Sequence, residues 1–520
     1  MATLISGFAA ARGSEAALVD DTGSTTWAEL DARVNRLVNG LRSAGLTTGD
    51  RIAIVAGNRR EWFETAMACS HGGWGYVPVN WHLVADELAY LFADSGAAAV
   101  VVDPRYAEQV AAALADPRGA EVRVVVSLGA DLDDPRAVQY EALLAGAADD
   151  EPTEQRLGGP MFYTSGTTGR PKGVKGSLSG GGELPPEILQ LVAAGFGNFV
   201  PVPGRTLLCG PVYHSAQWAF SFLPMVGGSA VVMQHRYDSA ELLRLIDQHA
   251  CTNVHLVPTQ MKRLVDLPDD VKRGFDGSSL VVAWHGAAPC PPAVKQSMLQ
   301  WWGSKVSEYY GSTEGSIIST INGADWLAKG GSVGRPLDNV EVIVIGDDDQ
   351  PVGPGHTGTL YFRNRMGTDF TYHNDDAKTA AAHREPGVFT TGDVGHLDDD
   401  GFLWLSDRRI DMIISGGVNI YPAEIEGALA AHPAVADVAV IGVPDDEFGE
   451  NVKAVVQVAD GRVADDALAA ELMAHCRTLL AGFKCPKSVD FIDAIPRTAT
   501  GKIQKQPLRE PYWLGRDRRI

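Results

Sequence analysis

The chain has 520 residues, of which 45% are hydrophobic and 21% are charged, and these values are typical of a globular protein. Its length is too great for a single hydrophobic core and predicts at least two domains. The formal net charge of −21 at pH 7 argues against a nucleic-acid partner, because such partners are held mainly by cationic contacts to phosphates.

The first residues, MATLISGFAAARGSE, lack the basic start and the long apolar run of a signal peptide. The six cysteines are scattered without a CxxC pair, which argues against a disulfide framework and against structural zinc. The most apolar long region, Phe199 to Met233, is broken by prolines and glycines and predicts buried strands and turns, not a membrane span. These features predict a soluble protein in a reducing cytoplasm.

Up to about residue 160 the sequence alternates between helix and strand patterns. A capping box at Thr26–Glu29 opens an amphipathic helix that runs to about Gly45, and further helices are predicted near Glu61–Ser70 and Val84–Asp94. Short apolar runs between them predict strands at Arg51–Ala56, Gly75–Asn80 and Ala97–Asp103. Such strands separated by helices indicate a parallel sheet covered on both faces.

Residues 163–173 read YTSGTTGRPKG, a glycine-rich loop with four hydroxyl side chains and one lysine. Backbone N–H groups, hydroxyls and a lysine together suit a polyphosphate. The loop is not the P-loop of nucleotide triphosphatases, because the spacing GxxxxGK[ST] is absent. The alternative to a phosphate-binding loop is a surface linker, but linkers usually lack an apolar strand leading into them, such as Met161–Tyr163. The predicted phosphate-binding residues are Thr164, Ser165, Gly166, Thr167, Thr168, Gly169 and Lys172.

Two later segments suit an adenine base and a cation. Tyr310 offers an aromatic face, and Gly286-Ala287-Ala288 offers a closely approaching backbone, so the two segments could enclose an adenine ring. Glu314, in the run YYGSTE, could hold Mg²⁺, which prefers carboxylate and phosphate oxygens. The alternative for Glu314 is a solvated glutamate at the end of a strand.

The organisation changes towards the C-terminus. Val340–Ile345 and Gly358–Phe362 predict short antiparallel strands of a small β unit. After Leu405 we expect a compact α/β unit, and we place the domain boundary near Arg408–Asp411. The predicted elements of that unit are a strand at Asp411–Ser415, a turn at Gly416-Gly417, a helix starting at Pro422, strands at 435–443 and 451–459, a helix at about 464–480 and a strand at 488–493.

Three further groups are weak signals when taken singly. A carboxylate such as Asp393, in TGD, can accept from both ribose hydroxyls, and the Arg408 guanidinium can donate to ribose or phosphate oxygens. Lys502, in PRTATGKI, is a cation that would assist the attack of one anion on another. The alternatives are ordinary turns for the tripeptides and a solvated charge for Lys502. The third group is His214, in PVYHS, which by itself is most simply a core histidine with its hydrogen bonds satisfied.

Taken in order over about residues 25–510, these motifs resemble the adenylate-forming superfamily of acyl-CoA synthetases, nonribosomal peptide adenylation domains and firefly-type luciferases. The resemblance implies an α/β fold with a large N-terminal domain of parallel sheets, helices and a small β unit, and a smaller mobile C-terminal α/β domain. The N-terminal adenylation domain would be residues 1–408, binding ATP and the acid. Residues 409–520 would form a lid that carries the catalytic lysine.

The resemblance also implies roles for single residues. The adenine, phosphate and ribose contacts would come from the phosphate loop together with Gly286, Ala287, Ala288, Tyr310, Gly311, Thr313, Asp393, Arg408 and Lys502. Glu314 and Thr168 would hold Mg²⁺, and these two residues with Lys502 and His214 would form the catalytic set. Gly416 and Gly417 would let the pantetheine arm of coenzyme A pass. Two positions depart from the family pattern, since Ile410 replaces a polar hinge residue and Gly173–Glu183 lacks a histidine that many members carry.

The implied reaction is an AMP-forming ligation of a carboxylic acid to coenzyme A, with ATP as co-substrate. The acid would contact His214, Trp218, Trp284 and Gly311, and this apolar setting favours a fatty or aromatic acid over an amino acid. An amide bond synthetase that uses an amine as acceptor is an open alternative, and a non-catalytic nucleotide-binding scaffold is a second one. The sequence leaves open the identity of the acid and whether the chain forms a homodimer.

Overall fold

The computed structural model describes residues 4–129, 131–164, 170–176, 178–179, 184–287, 290, 292–346, 348–408, 413–420, 422–496, 505–514 and 516.

The first sheet has five strands, all of them parallel. In spatial order the strands are Gly75–Pro78, Arg51–Val55, Ala97–Val102, Val124–Ser127 and Ala137–Gln139. The accompanying helices are Ser6–Arg12, Trp27–Ser43, Arg60–Gly72, Ala85–Ser95, Ala107–Ala115 and Tyr140–Ala145, with 3₁₀ turns at Pro104–Tyr106 and Pro117–Glu121. The parallel sheet predicted for this region is confirmed. So is the capping box, in which the Thr26 N–H donates to Glu29 Oε2 at 2.8 Å and the Glu29 N–H donates to Thr26 Oγ1 at 3.3 Å.

The second sheet has nine strands and is parallel through its centre, with antiparallel strands at both edges. In spatial order the strands are Arg335–Pro336, Ser316–Asn322, Val306–Ser312, Val282–His285, Asn253–Leu256, Arg205–Leu208, Ala230–Met233, Ala16–Asp20 and Gly23–Thr26. The accompanying helices are Glu187–Phe196, Ser215–Val226, Ser239–Gln248, Pro258–Val265, Asp269–Gly274, Pro292–Trp302 and Gly323–Ala328, with a 3₁₀ turn at Gly303–Lys305. One hydrophobic cluster joins side chains of both sheets, so the two sheets pack against each other through it.

One prediction for this region is partly wrong. The apolar region Phe199 to Met233 contains the buried helix Ser215–Val226 between two strands, not strands and turns alone. Nine of the twelve helix residues are buried, so the helix has no polar face from which the helical period could be recognised. Pro224, inside the helix, is a residue that usually indicates a strand end or a turn. No helix in the described ranges is both long and apolar enough to cross a membrane.

Two small sheets follow the large ones. Thr371–Tyr372, Lys172–Lys175 and Phe162–Thr164 form a three-stranded antiparallel sheet. The second small sheet is built from His383–Glu385, Val388–Phe389, Gly358–Asn364, Asp393–Leu397, Leu403–Arg408 and Val340–Ile345, with the helix Asp376–Ala382 beside it. The antiparallel pairing predicted for Val340–Ile345 and Gly358–Phe362 is confirmed.

The C-terminal part forms a mixed sheet with its own core. Its strands are Val418–Ile420, Ile413–Ser415, Gly449–Val458, Val435–Asp445 and Ser488–Phe491, and its helices are Pro422–Ala430, Asp466–Leu479 and Lys505–Trp513. The α/β class, the turn at Gly416-Gly417 and the helix start at Pro422 agree with the predictions. Residues 409–412, including Ile410, lie outside the described part, and the domain boundary stays a prediction.

Candidate functional site

The predicted phosphate loop is closed by a hairpin. Thr164 and Lys172 are partners across the antiparallel strands that enter and leave the loop, so the loop begins and ends at one place. The central residues Ser165, Gly166, Thr167, Thr168 and Gly169 lie outside the described part of the chain. Their assignment to phosphate therefore stays a prediction.

A segment without a recognised sequence motif lies against this hairpin. The strand Thr371–Tyr372 pairs with Lys172–Lys175, and Lys172 forms an ion pair with Asp375. Asp375 also accepts from the Lys378 N–H at 2.9 Å and so caps the helix Asp376–Ala382. The hydrogen bond from Lys172 and the cap hold the pKa of Asp375 below its usual value. An aspartate just before a helical run was the one signal in the sequence that could have indicated this segment.

Glu314 lies on the same side of the molecule. The Tyr372 hydroxyl donates to Glu314 Oε1 at 3.1 Å, and burial raises the pKa of Glu314. Burial, together with the nearby charge of Lys172, lowers the pKa of Lys378. Two lysines and a buried carboxyl therefore surround the end of the hairpin. Because Asp375 pairs with Lys172, the four groups carry a net positive charge only while Glu314 is protonated.

The predicted adenine and ribose residues are joined directly. The Tyr310 hydroxyl donates to Asp393 Oδ2 at 2.5 Å, and Thr391 Oγ1 donates to the same oxygen at 2.8 Å. Asp393 and Arg408 are partners across neighbouring strands, although the Arg408 side chain lies outside the description. Tyr310, Asp393 and the backbone of Arg408, which are far apart in sequence, thus meet at one place.

The segment at Gly286-Ala287 adjoins the same strand. A Cβ at Gly286 would lie 2.5 Å from Tyr309 Cε1, so no larger residue fits there. Ala287 is exposed and has φ +66°, a left-handed conformation that costs an alanine about 1–2 kcal/mol. Backbone strain of this kind is concentrated at ligand-binding sites. Ala288 lies outside the described residues.

The helix Ser215–Val226 begins beside the Tyr310 strand. His214 is its N-cap residue, and Ser215 Oγ lies 3.0 Å from Thr313 Oγ1. Burial lowers the pKa of His214 to about 4, so the imidazole is neutral at pH 7. Gly311 lies at a bulge where a Cβ would come within 2.1 Å of the Ser316 carbonyl oxygen. The predicted acid residues His214 and Gly311 are therefore brought close to the predicted nucleotide residues.

The two predicted tryptophans face different neighbours. Trp218 Nε1 donates to the Tyr76 hydroxyl at 2.8 Å, which directs this indole towards the first sheet. Trp284 Nε1 donates to the Phe199 carbonyl at 2.7 Å, and its ring stays on the side of the Tyr309 strand. Contact of either indole with an acid remains a prediction.

The C-terminal part touches the large part at several points. Gly416 and Gly417, with φ +60° and +79°, form the tip of a hairpin, and a Cβ at Gly417 would lie 3.4 Å from Val257 Cβ. Lys484 Nζ lies 2.7 Å from Oε1 of both Glu87 and Glu424, so it joins a helix of each part. Lys502 lies outside the described residues. No pattern in the sequence indicated the buried Lys484 cluster.

Comparison with known proteins agrees with this arrangement. A family described as AMP-binding enzyme matches residues 7–368, and the AMP-binding enzyme C-terminal domain matches residues 424–502. A feruloyl-CoA synthase from Amycolatopsis sp is 37% identical over 493 residues, which cover 94% of each chain.

Two solved proteins are similar over nearly their whole length. The amide bond synthetase McbA from Marinactinospora thermotolerans superposes with a TM-score of 0.84 at 29% identity, over 96% of this chain and 97% of that one. A double mutant of o-succinylbenzoate CoA synthetase from Bacillus subtilis, bound with the product analogue OSB-NCoA, superposes with a TM-score of 0.81 at 26% identity, over 99% of both chains. The same synthetase in complex with the acyl-adenylate intermediate OSB-AMP superposes with a TM-score of 0.65 at 26% identity, over 100% of this chain and 99% of that one.

Proposed function

Because this chain belongs to the AMP-binding enzyme family, we propose that it is an ATP-dependent carboxylate–CoA ligase. It activates a hydrophobic acid as the acyl-adenylate with release of pyrophosphate, and then transfers the acyl group to coenzyme A. Formation of the mixed anhydride converts a poor acyl donor into a good one, so one difficult step becomes two easier ones.

The convergence of distant segments on one place supports this proposal most strongly. The hairpin around the phosphate loop holds Lys172, Tyr372 bonds to Glu314, and Tyr310 bonds to Asp393. Each contact joins a candidate phosphate, cation, adenine or ribose residue to a residue distant in sequence, and this supports the proposal. A scaffold that only bound a nucleotide would not need the acid-side residues His214 and Gly311 beside them.

In the first half-reaction, each group has a separate task. Lys172 and the loop N–H groups orient the β- and γ-phosphates, and Lys502 supplies positive charge where the attacking carboxylate meets the α-phosphate. Asp393 accepts from the ribose hydroxyls, since carboxylate oxygens can accept two such bonds. His214, neutral at pH 7, positions the acid and does not pair with it as a cation.

The Glu314 carboxyl fits a Mg²⁺ ion together with Thr168. Its pKa is raised by burial, so a cation at its oxygens would favour the ionised form, and the remaining ligands would be phosphate oxygens and water. When bound, the ion neutralises charge on the phosphates. The Tyr372 hydroxyl holds the Glu314 carboxyl in place for that role.

For the second half-reaction, we propose that the C-terminal part turns against the large part. The TM-score is higher for the synthetase bound with a product analogue than for the same synthetase with an acyl-adenylate. This difference supports an arrangement of the two parts that is suited to thioester formation. In this arrangement Gly417 faces Val257, and a glycine at that place leaves room for a narrow arm such as pantetheine. Turning of the lid would bring Lys502 to the acid for the first step.

The acceptor distinguishes two candidate functions. The name of the feruloyl-CoA synthase, similar over 94% of the chain, favours coenzyme A and an aromatic acid. The similarity to the amide bond synthetase McbA keeps an amine acceptor as the second candidate. Both candidates share the adenylate-forming step.

The experiment follows pyrophosphate from the first step, AMP from the second step and the product made with each acceptor. Purified protein with ATP, Mg²⁺ and a panel of hydrophobic acids should release pyrophosphate, and on addition of coenzyme A it should release AMP and give a thioester faster than an amine panel gives amides. Lys502→Ala should slow adenylate formation by several orders of magnitude and thioester formation from supplied adenylate much less. Lys329→Ala, a half-buried lysine paired with Asp398 and Asp400, is the matched control and should leave both steps unchanged.

Release of ADP and orthophosphate would contradict the proposal. Faster amide than thioester formation would favour the amide synthetase. Nucleotide binding without AMP release from any acid would favour the scaffold.

A further inference from the structure

Three side chains on neighbouring strands of the second sheet share one face. His255 and Trp284 are partners across parallel strands, and Trp284 is the partner of Ser307, two residues before Tyr309. Since side chains two residues apart in a strand point to the same face, Tyr309 lies beside them. The helix Ser215–Val226, which starts at the acid-side residue His214, packs on this face through Phe220.

A buried hydrogen-bond chain crosses this face, and its direction can be deduced. Gln217 Nε2 lies 2.9 Å from His255 Nδ1 and 3.3 Å from the His255 carbonyl oxygen. A carbonyl oxygen can only accept, so the Gln217 atom near it is the NH₂ group. That NH₂ group donates to His255 Nδ1 as well, and Nδ1 therefore carries no proton.

The proton of His255 is consequently on Nε2. Burial lowers the pKa of His255 to about 3, so the ring is neutral and has only one N–H. His255 Nε2 lies 3.1 Å from the Tyr309 hydroxyl, which must accept from it. The hydrogen of the Tyr309 hydroxyl is then left to donate elsewhere, and no described group receives it in a hydrogen bond of this chain.

Aromatic rings surround the Tyr309 ring. Phe220 lies 5.5 Å from Tyr309 and 6.1 Å from Trp284 between ring centroids, and Phe196 lies 5.0 Å from Phe220. Phe199 closes the cluster against Trp284 at 5.8 Å. On its other side, Tyr309 meets Gly286 of the predicted adenine segment, with no room for a side chain. Tyr309 thus lies in an aromatic cluster between Gly286 and the helix that starts at His214.

We propose that Tyr309 determines which acid is used, by donating a hydrogen bond to an oxygen substituent on the ring of a short aromatic acid. This inference rests on the proposed function and adds the substrate class to it. The aromatic side chains around Tyr309 suit a flat ring, and their close packing favours a short acid over a long acyl chain. An acid without an acceptor would leave the Tyr309 donor buried and unpaired, which is costly.

The test uses two acids of the same shape. 4-Methoxycinnamic and 4-ethylcinnamic acid differ only in an oxygen that accepts and a CH₂ group that does not. With the unaltered protein, kcat/KM for pyrophosphate release should be about 10- to 100-fold higher for the methoxy acid. In Tyr309→Phe this ratio should fall to about one, because the ring stays and only the donor is removed.

Tyr237→Phe is the matched control. The Tyr237 hydroxyl also has a hydrogen bond, to the Gln260 carbonyl at 2.9 Å, but Tyr237 packs against a different hydrophobic cluster from the one that holds Tyr309. It should keep the methoxy-to-ethyl ratio of the unaltered protein.

The comparison of the two acids needs no variant, so poor folding of Tyr309→Phe would not hide the result. Pyrophosphate release from both acids at equal rates, or faster turnover of dodecanoic acid than of either, would overturn the inference alone. Absence of AMP and pyrophosphate with every acid would overturn the proposed function, and the inference with it.

Discussion

Two lysines are buried against carboxylates in different regions of this protein. Lys295, fully buried within the large part, pairs with the single carboxyl of Glu308 and lies 5.0 Å from the Trp326 ring centroid. Lys484, 4% exposed, lies 2.7 Å from both Glu87 and Glu424, and its bond to Glu87 joins the C-terminal part to the large part.

The pKa values of the two lysines shift in opposite directions because the lysines have different numbers of carboxyl partners. Burial lowers the pKa of Lys295, and the one partner does not offset it. Burial acts on Lys484 in the same direction, but two carboxyls outweigh it and raise the pKa of Lys484. One cluster is enclosed within a single core, while the other breaks whenever the two parts separate. The difference teaches that a buried ion pair can either stabilise a fold or hold one arrangement of two parts.

The largest expected effect is on the enclosed pair. Lys295→Met leaves the Glu308 charge buried and unpaired and should lower the free energy of unfolding by about 3–5 kcal/mol in urea titrations. Lys262→Met, which removes an exposed pair with Asp266 one helical turn away, should cost less than about 1 kcal/mol. Equal losses in the two variants would show that Lys295 is not stabilised as described.

A second variant tests the cluster between the parts. Lys484→Met leaves Glu87 and Glu424 facing each other, and the parts can relieve this repulsion by separating. We expect thioester formation from supplied adenylate to fall about 10- to 100-fold, or about 1.4–2.7 kcal/mol, with adenylate formation unchanged.

The control for this variant is Lys453→Met, whose pair with Asp490 lies within the C-terminal part. It should not separate the two half-reactions. A large loss of unfolding free energy in Lys484→Met, equal to that of Lys295→Met, would place the two clusters in the same class.

The third prediction concerns pH. Burial raises the pKa of Glu424 from 4.5 to about 7, and Lys484 offsets this only in part. Glu424 therefore takes up a proton when the parts meet, so the observed arrangement is most favoured below pH 4.5, weakens as pH rises from 4.5 to about 7, and changes little above that. The change is at most about 1.4 kcal/mol per pH unit.

Fluorescence energy transfer between labels on the two parts, followed from pH 5.5 to 8, measures this change. Glu424→Gln should remove the pH dependence in that range, since its amide does not titrate. A contact that strengthens as pH rises would contradict the assignment.

The smallest effect is expected at the exposed edge of the contact. Arg263 and Glu447 form an ion pair at 2.6 Å across the two parts, with exposed fractions of 41% and 55% for the side chains. Glu447→Gln should change thioester formation less than about fivefold, because solvent screens such pairs. A loss as large as that of Lys484→Met would show that exposed contacts contribute as much as buried ones.

Local patterns accounted for much of the first 160 residues. The capping box at Thr26 and the strand at Arg51–Val55 follow from neighbouring residues alone, so both could be predicted. The helix Ser215–Val226 could not, because burial on all sides leaves no polar face to reveal the helical period. Asp375 and Tyr372 were missed for another reason, since their partners Lys172 and Glu314 are distant in the chain.

The sequence by itself determined the α/β class, the order of the motifs and the membership that those motifs indicate, because each depends on short runs of residues. Only the tertiary structure decided that Tyr310 meets Asp393, that His255 carries its proton on Nε2, and that Lys484 joins two parts of the chain. These contacts depend on which faces of distant elements pack together, and packing is set by the whole core and not by any local pattern.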